Sequence, residues 1–241
     1  MIRLDDKRVL VTGGSRGLGA AMCRAFAGYG ARVAFTYTRS DAEAEALAAE
    51  LSGSAHRVAV EDEAATNAMV RSIVADWGGL DALVNNAGIS QNLPLALLDT
   101  EDFDKVIGVN LRGAYITARA ALRFMIRQKS GVVLNIGSLA GERMIEAPIH
   151  YCASKAGLRG MTEAMAKEVA RHDVRVLCLA PGPLEDGVGR NLPEHRLADY
   201  LNHCALGRVG TFAEVAELAA LLISDASGYM SGATIVMDGG V

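Results

Sequence analysis

The sequence has little of what marks proteins that bind nucleic acids or enter membranes. Only 5% of its 241 residues are aromatic, too few for the stacking platforms that hold single strands. Its net charge is -4, from 24 basic and 28 acidic residues, and neither sign forms a long run. No apolar stretch approaches the ~18 residues of a membrane span, and Met1–Arg8 lacks the apolar core of a secretory signal. We therefore expect no nucleic-acid partner and no membrane association.

Metal-binding and disulfide patterns are also missing. The four cysteines are far apart and form no C-x-x-C pair: Cys23, Cys152, Cys178 and Cys204. The five histidines form no H-E-x-x-H motif. These absences predict reduced thiols, a cytoplasmic location and no bound metal.

What the sequence does contain is an alternation of short β-branched runs and helical segments. The predicted strands are 8–12, 32–37, 56–60, 82–85, 132–136, 175–180 and 234–237. The predicted helices are 18–29, 41–51, 63–77, 101–129 (bent near Gly113), 151–171 and 212–224, with one or two short helices in a mobile insert at 190–202. Such alternation is typical of βαβ units. It predicts a single α/β domain over 1–241, a Rossmann-type doubly wound parallel sheet of about seven strands with helices on both faces. Its ligand crevice should lie beyond the carboxyl ends of the strands.

The turn after the first strand is rich in glycine and leads into a helix. It has the pattern T-G-x-x-x-G-x-G, from Thr12 to Gly19. Glycine lets a backbone turn tightly and approach a pyrophosphate, which the free N–H groups of a helix N-terminus attract. The alternative is a plain tight turn. The residues predicted to hold a dinucleotide here are Gly13, Ser15, Arg16, Gly17, Leu18 and Gly19.

Further motifs follow the later strands. They are Asn85-Asn86-Ala87-Gly88, Asn110, Ser138, Tyr151 with Lys155, Pro181-Gly182 and Asp238-Gly239-Gly240. With the Gly-rich turn, this series resembles the short-chain dehydrogenase/reductase superfamily along nearly the whole chain, in particular its 3-oxoacyl-acyl-carrier-protein reductases. The resemblance adds Asn86, Ala87, Gly88, Pro181, Gly182, Leu184, Tyr151 and Lys155 to the cofactor-binding residues. It implies a catalytic tetrad of Asn110, Ser138, Tyr151 and Lys155.

The chemistry of the tetrad centres on Tyr151. Residues i and i+4 share one face of a helix, so Tyr151 and Lys155 can serve one site. A free tyrosine has a pKa of about 10, and a nearby ammonium lowers it. The resemblance makes Tyr151 the general acid in reduction, with Lys155 lowering its pKa and holding the nicotinamide ribose. It gives Ser138 a hydrogen bond to the carbonyl oxygen, and Asn110 a water that links Lys155 to solvent.

Taken singly, some of these residues have ordinary explanations. Ser138 alone is compatible with a turn residue, Asn110 with a buried helix amide, and Asn85 with the end of a strand. Their joint spacing favours the catalytic interpretation.

The end of the second strand bears on the choice of cofactor. An acidic residue there would accept the ribose hydroxyls of NAD, and none is present. Arg16 and Arg39 offer guanidinium groups that suit a 2′-phosphate. We therefore predict NADP(H) rather than NAD(H), with a solvated Arg39 as the alternative. Asp62 is predicted to contact the adenine, or else to cap the following helix.

The segments that face the substrate depart from the resemblance. Glu146-Ala147-Pro148-Ile149-His150 stands where the reductases commonly have a Gly-Gln-Ala-Asn-like run. Residues 185–207 are predicted to form a substrate lid. Its apolar wall would be Leu184, Val188, Leu192, Leu197, Tyr200 and Leu201, while Arg190, His195 and Arg196 would meet an anionic carrier arm or form a solvated face.

The predicted function is an NADPH-dependent ketoreductase. Its expected substrate is a 3-oxoacyl thioester, linked to acyl-carrier protein or coenzyme A, reduced to the 3-hydroxy product. One alternative keeps the tetrad with another ketone or secondary alcohol: a polyketide or other secondary metabolite, a sugar or a small alcohol. Another is a non-catalytic dinucleotide-binding scaffold. The resemblance also implies a homodimer or homotetramer that pairs through the two long helices.

Overall fold

The computed structural model describes residues 2–186 and 194–241, with the backbone alone at 194–196. Its strands are β1 (Arg8–Val11), β2 (Arg32–Tyr37), β3 (Ser54–Arg57), β4 (Ala82–Asn85), β5 (Gly131–Ile136), β6 (Val174–Pro181) and β7 (Thr234–Met237). They form one parallel sheet in the order β3-β2-β1-β4-β5-β6-β7. The predicted doubly wound α/β fold is confirmed.

Helices cover both faces of this sheet. They are α1 (Gly17–Gly28), α2 (Asp41–Leu51), α3 (Glu63–Trp77), α4 (Thr100–Ile107), α5 (Ala114–Gln128), α6 (Ile149–Val169), α7 (Glu194–His203) and α8 (Phe212–Ile223). Side chains alternate along each strand, so Val9 and Val11 pack with α1, α2 and α8, whereas Leu10 packs with α3, α5 and α6. Burial of such side chains contributes roughly 1.5–3 kcal/mol each. No bilayer-crossing helix is found among the residues that the structure describes.

The predicted third strand, 56–60, is displaced along the chain. β3 begins two residues earlier, at Ser54, and ends three residues earlier, at Arg57. β3 pairs with β2 from Ala34↔Ser54 to Tyr37↔Arg57, and the ladder ends there. The prediction rested on the apolar run after β3. Val60, in that run, packs against Gly113 instead, since a Cβ on Gly113 would lie 2.5 Å from Val60 Cγ2. β3 is an edge strand with little burial, which explains its polar sequence.

The two long helices also differ from the prediction. The segment predicted as one bent helix is two helices, α4 and α5, joined by a π-helical turn over Gly108–Gly113. The expected bend near Gly113 therefore has a π turn as its cause. The second long helix, α6, begins at Ile149 rather than at Tyr151. Tyr151 thus lies in the first turn of α6 and Lys155 in the second.

Candidate active site

The strand order brings the motifs to one edge of the sheet. β1 lies between β2 and β4, so the direction of strand order reverses at β1. A crevice forms beyond the strand ends at such a reversal. The Gly-rich turn follows β1, the Asn-Asn-Ala-Gly segment starts at the end of β4, and Ser138 follows β5. The motifs that the sequence analysis singled out therefore share one crevice.

The turn between β1 and α1, and the start of α1, leave no room for a side chain at several glycine positions. Gly13 has a φ of 65°, and a Cβ there would lie 3.0 Å from Ala87 Cα. A Cβ on Gly19 would lie 2.1 Å from the Gly13 carbonyl oxygen. α1 begins at Gly17, and the side chain of its N-cap residue, Arg16, makes no capping hydrogen bond. The first N–H groups of α1 thus form a cradle that fits a pyrophosphate.

Asn86 and Ala87 brace this turn. The Thr12 hydroxyl accepts hydrogen bonds from the N–H groups of Asn86 and Ala87, both at 3.0 Å. Asn86 Nδ2 donates to the carbonyl oxygens of Thr12 and Gly13, again at 3.0 Å. The sequence analysis did not single out the Thr12 hydroxyl, although Thr12 opens the T-G-x-x-x-G-x-G motif. The loop after β4 therefore sets the shape of the cradle.

The two arginines expected to select the cofactor lie on the surface. Arg16 and Arg39 are exposed, and neither forms an ion pair with another described residue. Ser15, Arg16 and Gly17 line one side of a groove of about 540 Å³ between α1 and α2. Leu18 is half-buried against the core. The two guanidinium groups are therefore not engaged by described acids.

Asp62 acts as a helix cap. It is the N-cap residue of α3, and its Oδ1 accepts a hydrogen bond from the Ala65 N–H at 3.0 Å. This is the local role that the sequence analysis left open as an alternative. Contact of Asp62 with an adenine stays a prediction.

Tyr151 and Lys155 lie one turn apart at the start of α6. Ser138 acts on the Tyr151 phenol and lowers the pKa of that group. Lys155 is buried, and its Nζ donates to the Ile136 carbonyl oxygen at 2.7 Å. The same Nζ lies 5.6 Å from the centroid of the Tyr151 ring. The structure thus groups three of the four predicted catalytic side chains.

The pKa of Tyr151 departs from the expected direction. Burial disfavours the phenolate and raises the pKa of Tyr151 above its ordinary value, with Ser138 opposing this effect. Burial also lowers the pKa of Lys155 to about 8. Desolvation thus dominates the pKa of both groups, and a lowering of the Tyr151 pKa by Lys155 stays a prediction.

Asn110 connects the loop after β4 to the backbone of the catalytic tyrosine. Asn110 lies buried in the π turn, and its Oδ1 accepts from the Ile89 N–H at 2.8 Å. Its Nδ2 donates to the Ile89 carbonyl at 2.9 Å and to Ser154 Oγ at 3.1 Å. Ser154 Oγ in turn donates to the Tyr151 carbonyl at 2.7 Å. Gly88 lies beside this junction, since a Cβ there would be 3.4 Å from Asn110 Oδ1. The water-holding role of Asn110 stays a prediction.

A second series of buried side-chain hydrogen bonds, which the sequence analysis did not identify, connects the strands next to the site. Asn85 Nδ2 donates to the Ala114 carbonyl at 3.2 Å and to Asn135 Oδ1 at 2.9 Å. Asn135 Nδ2 donates to Thr162 Oγ1 at 2.8 Å. These bonds connect β4, β5 and α6. The available signal was the asparagine that interrupts the apolar run of β5.

The segment after β6 is anchored to the sheet and to α8. Pro181 ends β6, and the Gly182 N–H donates to the last residue of β7 at 2.9 Å. A Cβ on Gly182 would lie 2.7 Å from Tyr200 Oη. Leu184 forms a parallel bridge with Gly210, just before α8. The start of the predicted lid is therefore fixed by backbone contacts.

The end of the predicted lid is held by the last residues of the chain. Tyr200 Oη donates to the Asp238 carbonyl, and the Leu206 N–H donates to the Gly239 carbonyl at 3.0 Å. Leu197 and Leu201 in α7 are half-buried. The remaining predicted lid residues lie outside the described residues: Val188, Arg190 and Leu192 entirely, and the side chains of His195 and Arg196.

The cysteines are unpaired, and the described residues offer no cluster of metal ligands. All four cysteines are free thiols, and only Cys152 is not fully buried. Across 2–186 and 194–241, no group of three or more His, Cys, Asp or Glu side chains is placed to hold a metal ion.

Known proteins share this sequence and this architecture. Residues 13–241 match a family model described as enoyl-(acyl carrier protein) reductase. The chain is 35% identical over 244 residues to a 3-oxoacyl-acyl-carrier-protein reductase of Chlamydia trachomatis, across 99% of this chain and 98% of that protein. It is 34% identical over 242 residues to the reductase of the same name from Escherichia coli, across 100% and 99%. A solved short-chain dehydrogenase/reductase from Serratia marcescens superposes with a TM-score of 0.90 at 33% identity, across 98% of each chain.

Proposed function

Since this chain belongs to the short-chain dehydrogenase/reductase family, we propose that it is a ketoreductase that reduces a 3-oxoacyl thioester to the 3-hydroxy thioester with NADPH. One observation carries the proposal: Tyr151 lies one helical turn from the buried Lys155, whose Nζ is 5.6 Å from the centroid of the Tyr151 ring. The names of the relatives from Chlamydia trachomatis and Escherichia coli support the thioester substrate.

The chain's own residues supply the proton for this reaction. Reduction of a ketone needs a hydride at carbon, which NADPH supplies when bound, and a proton at oxygen. The raised pKa of Tyr151 keeps its phenol protonated at neutral pH, as a general acid requires. Tyr151 donates this proton to the carbonyl oxygen, and the Ser138 hydroxyl donates a hydrogen bond to the same atom. Lys155, with its pKa lowered to about 8, can then return a proton to the phenolate.

The cofactor half of the proposal rests on the cradle and the exposed arginines. The N–H groups at the start of α1 would hold the pyrophosphate, and Arg16 with Arg39 would take the 2′-phosphate. The absence of an acid at the end of β2 favours the same choice, because a carboxylate there would repel that phosphate.

An apolar rim supports a substrate with a hydrocarbon chain. Leu95 and Leu97, in the loop after β4, are 68% and 69% exposed, and Met144, in the loop after β5, is fully exposed. Both loops leave the edge of the sheet that carries Ser138 and Tyr151. A contiguous exposed apolar surface is a common mark of a binding site, and these three side chains would contribute to one if the loops meet over the crevice.

A ketone without a thioester carrier is the second candidate. The observation that favours it is the segment Glu146–His150, which departs from the run that the resembling reductases have before the catalytic tyrosine. Rates on a carrier-linked and on a free ketone would distinguish the two candidates, because they require different contacts outside the tetrad.

The test is NADPH consumption by the purified chain with a short 3-oxoacyl thioester, beside Tyr151→Phe. Removal of the proton donor should lower kcat by about 10²- to 10⁴-fold while NADPH still binds, since the variant keeps the ring and the cradle. Parallel assays with NADH and with free ketones define cofactor and substrate preference. Undiminished turnover in Tyr151→Phe would overturn the mechanism, and activity confined to free ketones would overturn the thioester assignment.

A further inference from the structure

The residue before the catalytic tyrosine is a fully buried histidine that the mechanism does not use. His150 is 0% exposed and is the second residue of α6. Its Nδ1 lies 2.9 Å from the Tyr151 backbone nitrogen and accepts a hydrogen bond from that N–H group. A ring nitrogen that accepts carries no proton, so the proton of the neutral ring is on Nε2.

This hydrogen bond replaces a conventional helix cap. Pro148 is the N-cap residue of α6 and has no side chain that can accept a hydrogen bond. The first N–H groups of a helix lack partners within the helix. The imidazole of His150 supplies the acceptor for Tyr151, while the Tyr151 carbonyl accepts from Ser154, which is bonded to Asn110. The peptide groups on both sides of the Tyr151 Cα are therefore held by side chains.

The other ring nitrogen has unmet hydrogen-bonding capacity. His150 Nε2 is buried and has no partner among the described residues. The same holds for Gln91 Oε1, in the loop after β4. Gln91 Nε2 donates to Asp102 Oδ1 at 2.9 Å. The negative charge of the Asp102 carboxylate favours the protonated imidazole of His150. His150 thus has one nitrogen committed to Tyr151 and one unpaired donor.

Protonation would change the first of these contacts. An imidazolium has donors on both nitrogens, so Nδ1 would present a hydrogen to the Tyr151 N–H instead of a lone pair. The Pro148 carbonyl is the backbone acceptor that favours the charged ring, and it already accepts from the Cys152 N–H at 2.9 Å. A charged His150 would therefore leave the Tyr151 N–H unpaired and compete for a carbonyl of the first turn.

We propose that neutral His150 is a positioning residue for Tyr151, and that its protonation displaces the phenol and so limits the ketoreductase at acid pH. This inference rests on the proposed function. It concerns how the general acid is held, and it assigns His150 no contact with substrate or cofactor.

The groups around the imidazole and its burial determine whether the pKa of His150 is raised or lowered. α6 and the elements packed against it carry these titratable or charged groups: Glu101, Asp102, Asp104 and Lys105 on α4, Arg112 in the π turn, Glu142 after Leu139–Gly141, Arg175 and Cys178 on β6, Arg171 and His172 in the turn after α6, and Tyr151, Cys152, Lys155, Arg159, Glu163, Lys167 and Glu168 on α6 itself. Of these, Asp102 acts on His150 and favours its charged form. Burial has the larger effect and lowers the pKa of His150 below its ordinary value. The ring is therefore neutral at neutral pH, and activity should fall on the acid side of the ordinary histidine range, because the pKa of His150 is lowered.

Two substitutions separate positioning from mere packing. His150→Asn keeps a side-chain acceptor and removes the titration, and asparagine is the residue that ends the Gly-Gln-Ala-Asn-like run of the resembling reductases. His150→Leu removes the acceptor and keeps an apolar volume. We expect kcat of His150→Leu to fall about 10- to 100-fold, with the KM for NADPH nearly unchanged, because the phenol is misplaced and the cradle is not.

The decisive measurement is the pH profile of kcat for the wild type and both variants. His150→Asn should retain kcat within about threefold at pH near 7.5 and lose the acid limb of the wild type. An acid limb that persists in His150→Asn would overturn the proposal, as would an unchanged kcat in His150→Leu. If His150→Leu does not fold, the profile of His150→Asn alone decides.

A second measurement is independent of turnover. In the ¹⁵N NMR spectrum of the wild-type chain, His150 should show an unprotonated Nδ1 at neutral pH, and the Tyr151 amide resonance should shift with the same midpoint as the imidazole. A protonated Nδ1 at neutral pH, or a Tyr151 amide that ignores the titration, would overturn the proposal. Absence of turnover on every ketone would overturn the proposed function instead, and the NMR result would still decide the role of His150.

Discussion

Among the described residues, Lys155 is the most deeply buried side chain that carries a formal charge. Its ammonium has one described hydrogen-bond acceptor, the Ile136 carbonyl. The pKa of Lys155 falls from 10.5 to about 8 because burial disfavours the charged form. Such a group destabilises the fold when charged, so its position must be maintained by its function and by the packing around it.

This burial gives a prediction for stability as a function of pH. Between about pH 8 and 10.5 the unfolded chain binds more protons at Lys155 than the folded chain does, so this group's contribution to stability rises with pH. Below pH 8 its unfavourable effect is fully present. The difference in unfolding free energy between Lys155→Met and the wild type should therefore narrow by up to about 3 kcal/mol from pH 7.5 to pH 10.5.

Urea unfolding at both pH values measures this difference, since every other group is common to the two proteins. A difference that does not change with pH would show that Lys155 is not desolvated as the structure indicates. Lys129→Met, at an exposed position, is the matched control for the loss of a lysine charge.

Single residues also show what a sequence can and cannot predict about a site. Tyr151, Lys155 and Ser138 were predictable because chemistry restricts the residue types, and their spacing is local. The Thr12 hydroxyl and the Asn110–Ser154 bond were not, because those partners lie 74 and 44 positions apart in the chain and meet only after folding. The burial that raises the pKa of Tyr151 is also a tertiary property, so no local pattern in the sequence indicates it.

At the scale of elements, substitutions of Asp62 at the start of α3 can distinguish a helix-capping role from a cofactor-binding role. Asp62 caps α3 through the Ala65 N–H, and asparagine caps a helix about as well as aspartate. We expect Asp62→Ala to lose about 1 kcal/mol of stability and Asp62→Asn to lose almost none. Chemical denaturation of both variants checks this expectation.

NADPH affinity of the same variants tests the predicted adenine contact. If the Asp62 carboxylate binds the adenine, Asp62→Asn should bind NADPH more weakly at unchanged stability. Equal affinity in the wild type and Asp62→Asn would leave the helix cap as the role of this residue.

Elements were predictable where burial is strong and poorly predictable where it is weak. β1, β4 and β6 are apolar on both faces, and their positions were predicted within one or two residues. β3 is a polar edge strand, so the neighbouring apolar run containing Val60 misled the prediction. The π turn has no apolar signature of its own, and the helical periodicity on either side concealed it.

At the scale of the whole molecule, exposed apolar side chains lie on the last strand and near it. Tyr229 is fully exposed, and Met230 and Val236 are each 37% exposed. With the pairing of long helices that the resemblance implies, we expect a homodimer or homotetramer. Light scattering should give twice or four times the mass of one chain. Tyr229→Glu should reduce a tetramer to a dimer, whereas a monomeric wild type would contradict the expectation.

The hydrogen bonds of Thr12 make two backbone loops into one unit, and amide hydrogen exchange should show this. The N–H groups of Asn86 and Ala87 are already bonded to Thr12 Oγ1, so they should exchange slowly whether or not a dinucleotide is bound. The N–H groups of Gly17 and Leu18 precede the first bond of α1, from the Ala20 N–H to the Arg16 carbonyl, and should slow only when a phosphate arrives. Cofactor binding should therefore be visible as slower exchange at Gly17 and Leu18 only, with the amides of Asn86 and Ala87 as an internal reference.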